Sequence, residues 1–291
     1  MTNSKPNTAA LLARYPHLSQ LAGQRYMVKY GGAAMEDISL REAVCRDIAL
    51  LSQLGIEIVV VHGGGKEITR LLERLSIESR FIAGVRVTSP EAMAVTEMVL
   101  SGLVNKDLAS RISRHGAPSL GISGRDAHII EAVPYRNQAG DDFGETGDVS
   151  TCNQHPLVAL LKAGFVPVVS PVGESAEGAP RNLNADIGAA AVAGAIGAIK
   201  AIFLTDVDGV RIAGSVQKIL SPSQIDGYIQ DGEITGGMIP KVECALRALR
   251  LGCRESVICN ATKADVVVRA IIGDSEAGTV LAAAALSPPR P

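Results

Sequence analysis

"VVVHGGGKEI", residues 59–68, runs three valines and a histidine into three glycines, and then into a lysine that opens a helical pattern. The valines belong to a largely apolar strand, "IEIVVVH" (56–62), and the helical pattern continues over 65–76. Glycine lets backbone N–H groups approach a ligand closely, and a helix N-terminus carries partial positive charge, so a strand ending in bare backbone at a helix start is a place for an anion. A plain tight turn is the competing reading.

The same transition recurs along the chain. Apolar runs stand at "RYMVKY" (25–30), "PSLGIS" (118–123), "FVPVVSPV" (165–172), "KAIFLTDV" (200–207) and "ESVICN" (255–260). Helical patterns lie between them over 36–54, 65–76, 90–113, 155–163, 185–198, 238–251 and 263–272. Strands alternating with helices predict an α/β fold with a mostly parallel sheet covered on both faces. Ligands of such sheets bind outside the carboxyl ends of the strands, which directs attention to "KYGG", "HGGG", "SGRD" and "TDVDG". Residues 128–151, with "AGDDFGETGD", break the rhythm and read as a hairpin or lid inserted in the sheet; "GESAEGAP" (173–180) reads as a second loop and "SPPRP" as a frayed end. No low-complexity linker or internal repeat appears, which favours two lobes sharing one sheet over independent domains.

The chain has 291 residues, 47% hydrophobic and 3% aromatic without tryptophan, so Val, Ile, Leu and Ala must build its core. A formal net charge of −2 gives no basic footprint for nucleic acid. Five cysteines, odd in number and without CxxC spacing, argue against a zinc site or a disulfide framework and for a reduced, cytoplasmic protein. No apolar run reaches the length of a membrane span. The first acidic residue is Glu36, preceded by Lys5, Arg14, Arg25 and Lys29. An organellar transit peptide is therefore a reading to weigh, but such peptides are longer and richer in Arg and Ser.

Several side chains carry chemistry at the strand ends. Lys29, followed by Gly31 and Gly32, can reach a phosphate that the glycines admit to the backbone; a solvated lysine before a turn is the bland reading, and Lys66 is expected to face solvent. Arg86 precedes a Ser/Thr-Pro-Glu helix start with Thr88 or Ser89 as its cap, and can clamp a carboxylate or form a surface salt bridge. Asn182, Asn184 and Asp186 stand at the next helix start, where capping by Asn184 or Asp186 does not explain both asparagines. "LTDVDGV" (204–210) ends a strand in two carboxylates, and "TGGMIPKVEC" (235–244) exposes Gly236 and Gly237 before Lys241. Two lysines held apart by one carboxylate beside glycine turns suit phosphoryl transfer, which needs positive charge and in-line placement more than covalent help. The chain has no GxxxxGK[ST] or GxGxxG, no Ser–His–Asp or Cys–His order stands out, and its five scattered histidines make a metal cluster improbable.

Taken in order and spacing, "MVKYGGAAM", "VVVHGGGKEI", "AGVRVTS", "GISGRDA", "NLNADIGAA", "IFLTDVDGV" and "GGMIPKVECALRAL" closely resemble the N-acetylglutamate kinase branch of the amino acid kinase family, from about residue 10 to 281. The resemblance implies an open αβα sandwich of two lobes, residues 26–180 for the amino acid and 181–291 for ATP. It assigns Lys29 and Lys241 as the transition-state lysines, with Asp186 orienting both. Arg86 would take the substrate α-carboxylate, Asn182 would belong to the substrate site, and Gly64 and Gly65 would meet the substrate and the phosphoryl group. The nucleotide would lie over Gly31, Gly32, Thr205, Asp206, Gly236, Gly237 and Met238, with Mg2+ on its phosphates and no metal bound by the protein alone. The implied reaction is ATP-dependent phosphorylation of the side-chain carboxylate of N-acetyl-L-glutamate, a step of arginine biosynthesis. Two alternatives are a kinase of the same fold for another acyl amino acid such as N-acetyl-aminoadipate, and a catalytically silent sensor of arginine or nucleotide; the retained lysines and Asp186 weigh against the sensor.

Residues 1–25 are similar to the additional N-terminal helix of arginine-inhibited members, including Pro16. That similarity implies a homo-oligomer, a dimer or hexamer, with L-arginine as effector and Leu11, Leu12, Tyr15, Leu18 and Leu21 at the interface. Ala33 departs from the "GGNAM" pattern of the family, "SVICNATKADVVV" departs from "HIIDGR", and "EAGTVL" only partly matches "GIGTMI". The last two departures bear on arginine control rather than on catalysis.

Overall fold

The computed structural model describes residues 8–282. Eight strands form the central sheet in the order Ile219–Leu220, Gly278–Ala282, Glu255–Asn260, Lys200–Thr205, Arg25–Tyr30, Glu57–His62, Val166–Ser170, Ser119–Ser123. The pair Glu255–Asn260 and Gly278–Ala282 is antiparallel, and the other neighbours run parallel. Successive side chains of a strand point to opposite faces. Tyr26, Val28, Ile58, Val60, Ile202 and Leu204 therefore enter one apolar layer, while Met27, Val59, Val61, Ala201 and Phe203 enter the other. Helices Ile38–Gln53, Asn105–Arg114 and Val266–Ile272 cover the first face; Ala185–Ala195 and Met238–Arg250 cover the second. The open αβα sandwich expected from the sequence is present.

Small residues bring the second layer close to its neighbours. Ala189, Ala190 and Ala193 are fully buried, and a Cβ on Gly194 would lie 2.6 Å from the Leu251 carbonyl oxygen at the end of Met238–Arg250. The helix start is secured by Asn184, whose side chain accepts from the Asp186 backbone N–H at 2.8 Å. Asn184 is thus the cap and Asp186 is left free for other work.

Residues 128–151 do contain a hairpin, Ile130–Pro134 against Thr146–Cys152, but it is not inserted in the central sheet. It closes with Val172–Glu174 and Pro180–Leu183 into a separate four-stranded barrel; the "GESAEGAP" segment, read as a loop, contributes residues to both of these strands, and the turn between them is 175–179. A bulge between Glu131 and Ala132 bends the hairpin, and Gly147 and Gly173 allow the strands to close, since a Cβ on either would press within about 3 Å of Leu183. The helical pattern over 90–113 is also divided: α-helices Pro90–Glu97 and Asn105–Arg114 flank a π-helical segment, Met98–Val104. Ser89 is the cap of the first, accepting from Ala92 N–H, while Thr88 is buried.

The N-terminal segment forms a short helix, Thr8–Arg14, and a 3-10 turn, Pro16–Leu21, separated at Tyr15. Leu11 and Leu18 are buried in the chain's own core, and Leu12, Tyr15 and Leu21 pack against it. Leu11 and Leu18 are thus taken up by the chain itself, while Leu12, Tyr15 and Leu21 are only half-buried; the segment lies against Ile38–Gln53, and Arg14 pairs with Asp265. The "SPPRP" end and residues 1–7 lie outside the described residues.

Asp47 is buried on Ile38–Gln53, where it accepts from the Val267 N–H and its ion-pair partner, Arg46, is 3.8 Å away. Burial, and then the charge of Asp265, push its carboxyl up to about 7. A folded-state pKa above the unfolded value means that stability is full below the unfolded pKa and is lost as pH rises through the folded one. Asp47→Asn keeps an acceptor for Val267, so it is expected to leave the urea midpoint unchanged near pH 4 and to stabilise the protein by about 2–4 kcal/mol at pH 8. An equal shift at both pH values would show that the carboxyl is not protonated in the fold.

Candidate active site

The strand after Arg25–Tyr30 in sequence, Glu57–His62, pairs on one side of it, and Lys200–Thr205 pairs on the other. The sheet reverses its direction of growth there, at the kind of switch point where open α/β sheets bind ligands. The turns leaving these three strands carry "GG", "GGG" and "DVDG".

The first two turns lie on each other. Gly63 N–H donates to Tyr30 O at 2.8 Å, and a Cβ on Gly31 would sit 3.5 Å from Gly63 N and 3.0 Å from Lys29 Nζ. A side chain there would have to displace the Lys29 ammonium, which lies across the bare backbone. Gly32, with φ at +76°, occupies the left-handed region that favours glycine. Gly64 caps the helix Gly65–Arg74, and its Cβ position is 2.6 Å from Leu100 Cδ2, so the π-helical segment forms the floor of the turn.

Lys29 Nζ stands 2.9 Å from Asp186 Oδ1, and both side chains are largely screened from solvent. Lys241 Nζ instead donates to Gly237 O at 3.3 Å, within the first turn of Met238–Arg250. Asp186 therefore pairs with Lys29 in this structure, while the Lys241 ammonium rests on the carbonyl of Gly237, the residue that precedes its own helix. Both lysines nevertheless act on Asp206. The Thr205 hydroxyl and the residue's own N–H hold the Asp206 carboxyl below its ordinary range, and the charges of Lys241 and Lys29 add to this. Lys29 and Lys241 thus both stand near enough for their charges to act on the carboxylate that follows Lys200–Thr205.

Arg86 is 8% exposed and makes no ion pair among the described residues. It donates to Gly65 O at 3.0 Å, Thr69 Oγ1 at 2.9 Å and Ser79 Oγ, and its guanidinium carbon stands 4.6 Å from the Phe81 ring centre. The surface salt bridge is excluded, and burial pushes the pKa of this group down. Asn182 Nδ2 donates to Thr88 Oγ1 at 3.0 Å; Thr88 in turn bonds Thr146 Oγ1, which donates to Arg86 O at 2.6 Å. This buried chain ties the Asn182 strand to the Arg86 strand. Lys66, expected in solvent, is exposed but pairs with Glu36 at 2.5 Å.

Gly64, Gly65, Arg86 and Asn182 line one cavity of about 320 Å³, together with Phe81, Tyr135, Glu243 and Cys244. That volume is at the lower end for small-molecule sites. Gly32 lines an adjoining depression that shares Gly64, Gly65 and Arg86. Thr205, Asp206, Gly236, Gly237 and Met238 lie outside the cavity lining, on the flank occupied by Lys241. Gly236 has φ at +55°, and the space around Gly236 and Gly237 is open. Reading the sequence missed Tyr135, Thr88 and Thr146, whose positions depend on the barrel, and Glu243 and Cys244, which follow Lys241 on one helix and were within reach of a helical-face argument. It also missed His62 and Asn105 beneath the glycine turn. Among the described residues no group of three or more His, Cys, Asp or Glu converges as a metal site.

A model of the amino acid kinase family matches residues 24–260. The acetylglutamate kinase of Pelotomaculum thermopropionicum is 39% identical over 293 residues, spanning 97% of this chain and 99% of the relative. That of Aliarcobacter butzleri is 42% identical over 261 residues, 89% of this chain and 86% of the relative. Among solved structures, the N-acetylglutamate synthase of Neisseria gonorrhoeae complexed with coenzyme A and N-acetyl-glutamate shares the fold, with a TM-score of 0.82 at 24% identity. The match covers 96% of this chain, which spans 64% of the synthase. Carbamate kinase from Giardia lamblia bound to AMP-PNP shares it at a TM-score of 0.66 and 16% identity, over 90% of this chain and 99% of that one. With the family model matched over most of its length and two relatives near full coverage, the chain belongs to the amino acid kinase family.

Proposed function

We propose that the protein uses ATP to phosphorylate the side-chain carboxylate of N-acetyl-L-glutamate, giving an acyl phosphate for arginine biosynthesis; two of its relatives bear the name acetylglutamate kinase. The observation that carries the reading is the Lys29–Asp186 pair lying across two touching glycine turns, beside a cavity walled by a buried arginine that has no acidic partner among the described residues. Residues 26–180 bind the amino acid and 181–291 the nucleotide. The open, left-handed Gly236 turn and the two lysines fit a polyphosphate, whose Mg2+ it brings with it; the nucleotide supplies the phosphoryl group.

Arg86 takes the α-carboxylate and Asn182 helps fix the acyl amino acid in the cavity. The side-chain carboxylate is ionised near neutral pH and needs no general base. Its oxygen bonds to the γ-phosphorus as the bond to the β,γ-bridging oxygen breaks and ADP leaves; no proton moves. Lys29, Lys241 and the N–H groups of Gly64 and Gly65 hold the charge that spreads over the phosphoryl oxygens. Five free cysteines, all at least partly buried, fit a reducing cytoplasm. A homo-oligomer and an L-arginine effector acting where Arg14 meets Asp265 belong to the same proposal.

Incubation with ATP, Mg2+ and N-acetyl-L-glutamate, with hydroxylamine to trap acyl phosphate, tests the reaction; N-acetyl-aminoadipate and glutamate run in parallel. Hydroxamate chiefly from N-acetylglutamate is expected. Product chiefly from another acid would move the substrate, and none from any acid would sink the enzyme reading.

A further inference from the structure

His62 and Asn105 are both fully buried, and the phosphoryl-transfer chemistry makes no use of either side chain. Asn105 Nδ2 lies 2.8 Å from Val168 O, 3.1 Å from Ile122 O and 3.1 Å from His62 Nε2. Two carbonyls face this atom and Lys106 Nζ faces Oδ1, so the atom is the amide nitrogen and can only donate. His62 Nε2 faces this donor, whose two hydrogens it shares with the two carbonyls, and is therefore the unprotonated, accepting ring nitrogen. The ring proton is left on Nδ1, which stands 2.8 Å from Gly63 O and donates to it.

The Gly63 carbonyl and the Gly64 N–H belong to one planar trans peptide, so they point in opposite directions. Holding the carbonyl toward buried His62 turns the Gly64 N–H away from the core, toward the cavity that Gly64 lines. We propose that His62, set by Asn105, is a positioning residue that aims the Gly64 N–H at the transferring phosphoryl group. The inference rests on the kinase reading above.

The surroundings are built for this arrangement. The π-helical segment Met98–Val104 ends at Asn105, presses Leu100 and Val104 under Gly64, and is pinned by Ser101 Oγ to Ser170 Oγ at 2.8 Å. Such segments are frequent at functional sites because the wide turn re-aims the side chains that follow. Burial, with the nearby charge of Lys106, pushes the His62 pKa down to about 4 against the opposing bond to Gly63 O, so the ring is neutral at pH 7. A neutral ring is required, because an imidazolium would turn Nε2 into a donor facing a donor.

Two variants divide the ring's bonds between them. In His62→Asn the amide nitrogen stands near the Nδ1 position and keeps the bond to Gly63 O; in His62→Gln the amide oxygen reaches the Nε2 position and keeps the bond from Asn105. His62→Gln is expected to lower kcat by at least about tenfold with KM for both substrates within about twofold, and His62→Asn to hold kcat within about threefold. A residue that merely fills the core would lower stability in both variants and leave their kcat values alike. Nitrogen-15 spectra of the histidine-labelled wild type supply a readout independent of folding in the variants, and should show a neutral His62 with its proton on Nδ1. Equal kcat values in the two variants, a change in KM alone, or a proton on Nε2 would overturn the inference while leaving the kinase reading intact. A wild type that makes no acyl phosphate would overturn both.

Discussion

Lys29→Met and Lys241→Met should each lower kcat by about 10²–10³-fold while leaving KM for N-acetyl-L-glutamate within about twofold. Methionine keeps the apolar reach of the stem and removes the charge, so the comparison isolates the ammonium. Only interactions stronger in the transition state than in the ground state accelerate the step, and the lysines meet charge that develops between donor and acceptor. The two sites differ in one respect. Lys29 is held 2.9 Å from Asp186, so its removal leaves a carboxylate beside the incoming phosphates, whereas Lys241 is held by the Gly237 carbonyl. Adding Asp186→Asn should therefore recover part of the Lys29→Met loss and none of the Lys241→Met loss, a coupling that a double-mutant cycle in kcat measures. Purely additive losses at both positions would mean that Asp186 acts on neither lysine in the transition state.

The contrast between the lysines marks where sequence reasoning reached its limit. Glycines after apolar strands are legible, because strand runs and bare turns are local features, and the turns did come together at the switch point of the sheet. The partner of each lysine is a long-range matter: Asp186 meets Lys29 only because Ala185–Ala195 packs on the face of Arg25–Tyr30 that carries Met27. The barrel escaped notice for a related reason. Its strands are three to seven residues long and interrupted by glycine and proline, so none carries enough alternation to stand out. The π-helical segment was hidden because its apolar residues continue a helical pattern. The apolar N-terminal residues were visible, but whether Leu11 and Leu18 bury against the chain itself or another copy is not encoded in their spacing.

Arg86→Met should raise KM for N-acetyl-L-glutamate by roughly 30- to 1000-fold, corresponding to about 2–4 kcal/mol, with kcat changed less than about threefold and KM for ATP unaffected. The guanidinium is held by three neutral oxygens, Gly65 O, Thr69 Oγ1 and Ser79 Oγ, and by the Phe81 ring, none of which offsets its charge. A buried charge left without its opposite is costly, and a bound carboxylate relieves that cost. The ligand-free variant should thus be no less stable than the wild type. Its stabilisation by N-acetyl-L-glutamate should nearly vanish, since a ligand raises the melting temperature only in proportion to its occupancy of the folded state. Arg86→Lys should not restore affinity, because an ammonium cannot present the planar fork to a carboxylate. A ligand-free variant that melts much earlier, with KM unchanged, would mean instead that Arg86 ties the Val85–Val87 strand to the helix Gly65–Arg74; the charge would then serve the fold, and recognition of the α-carboxylate would have to be sought elsewhere in the cavity.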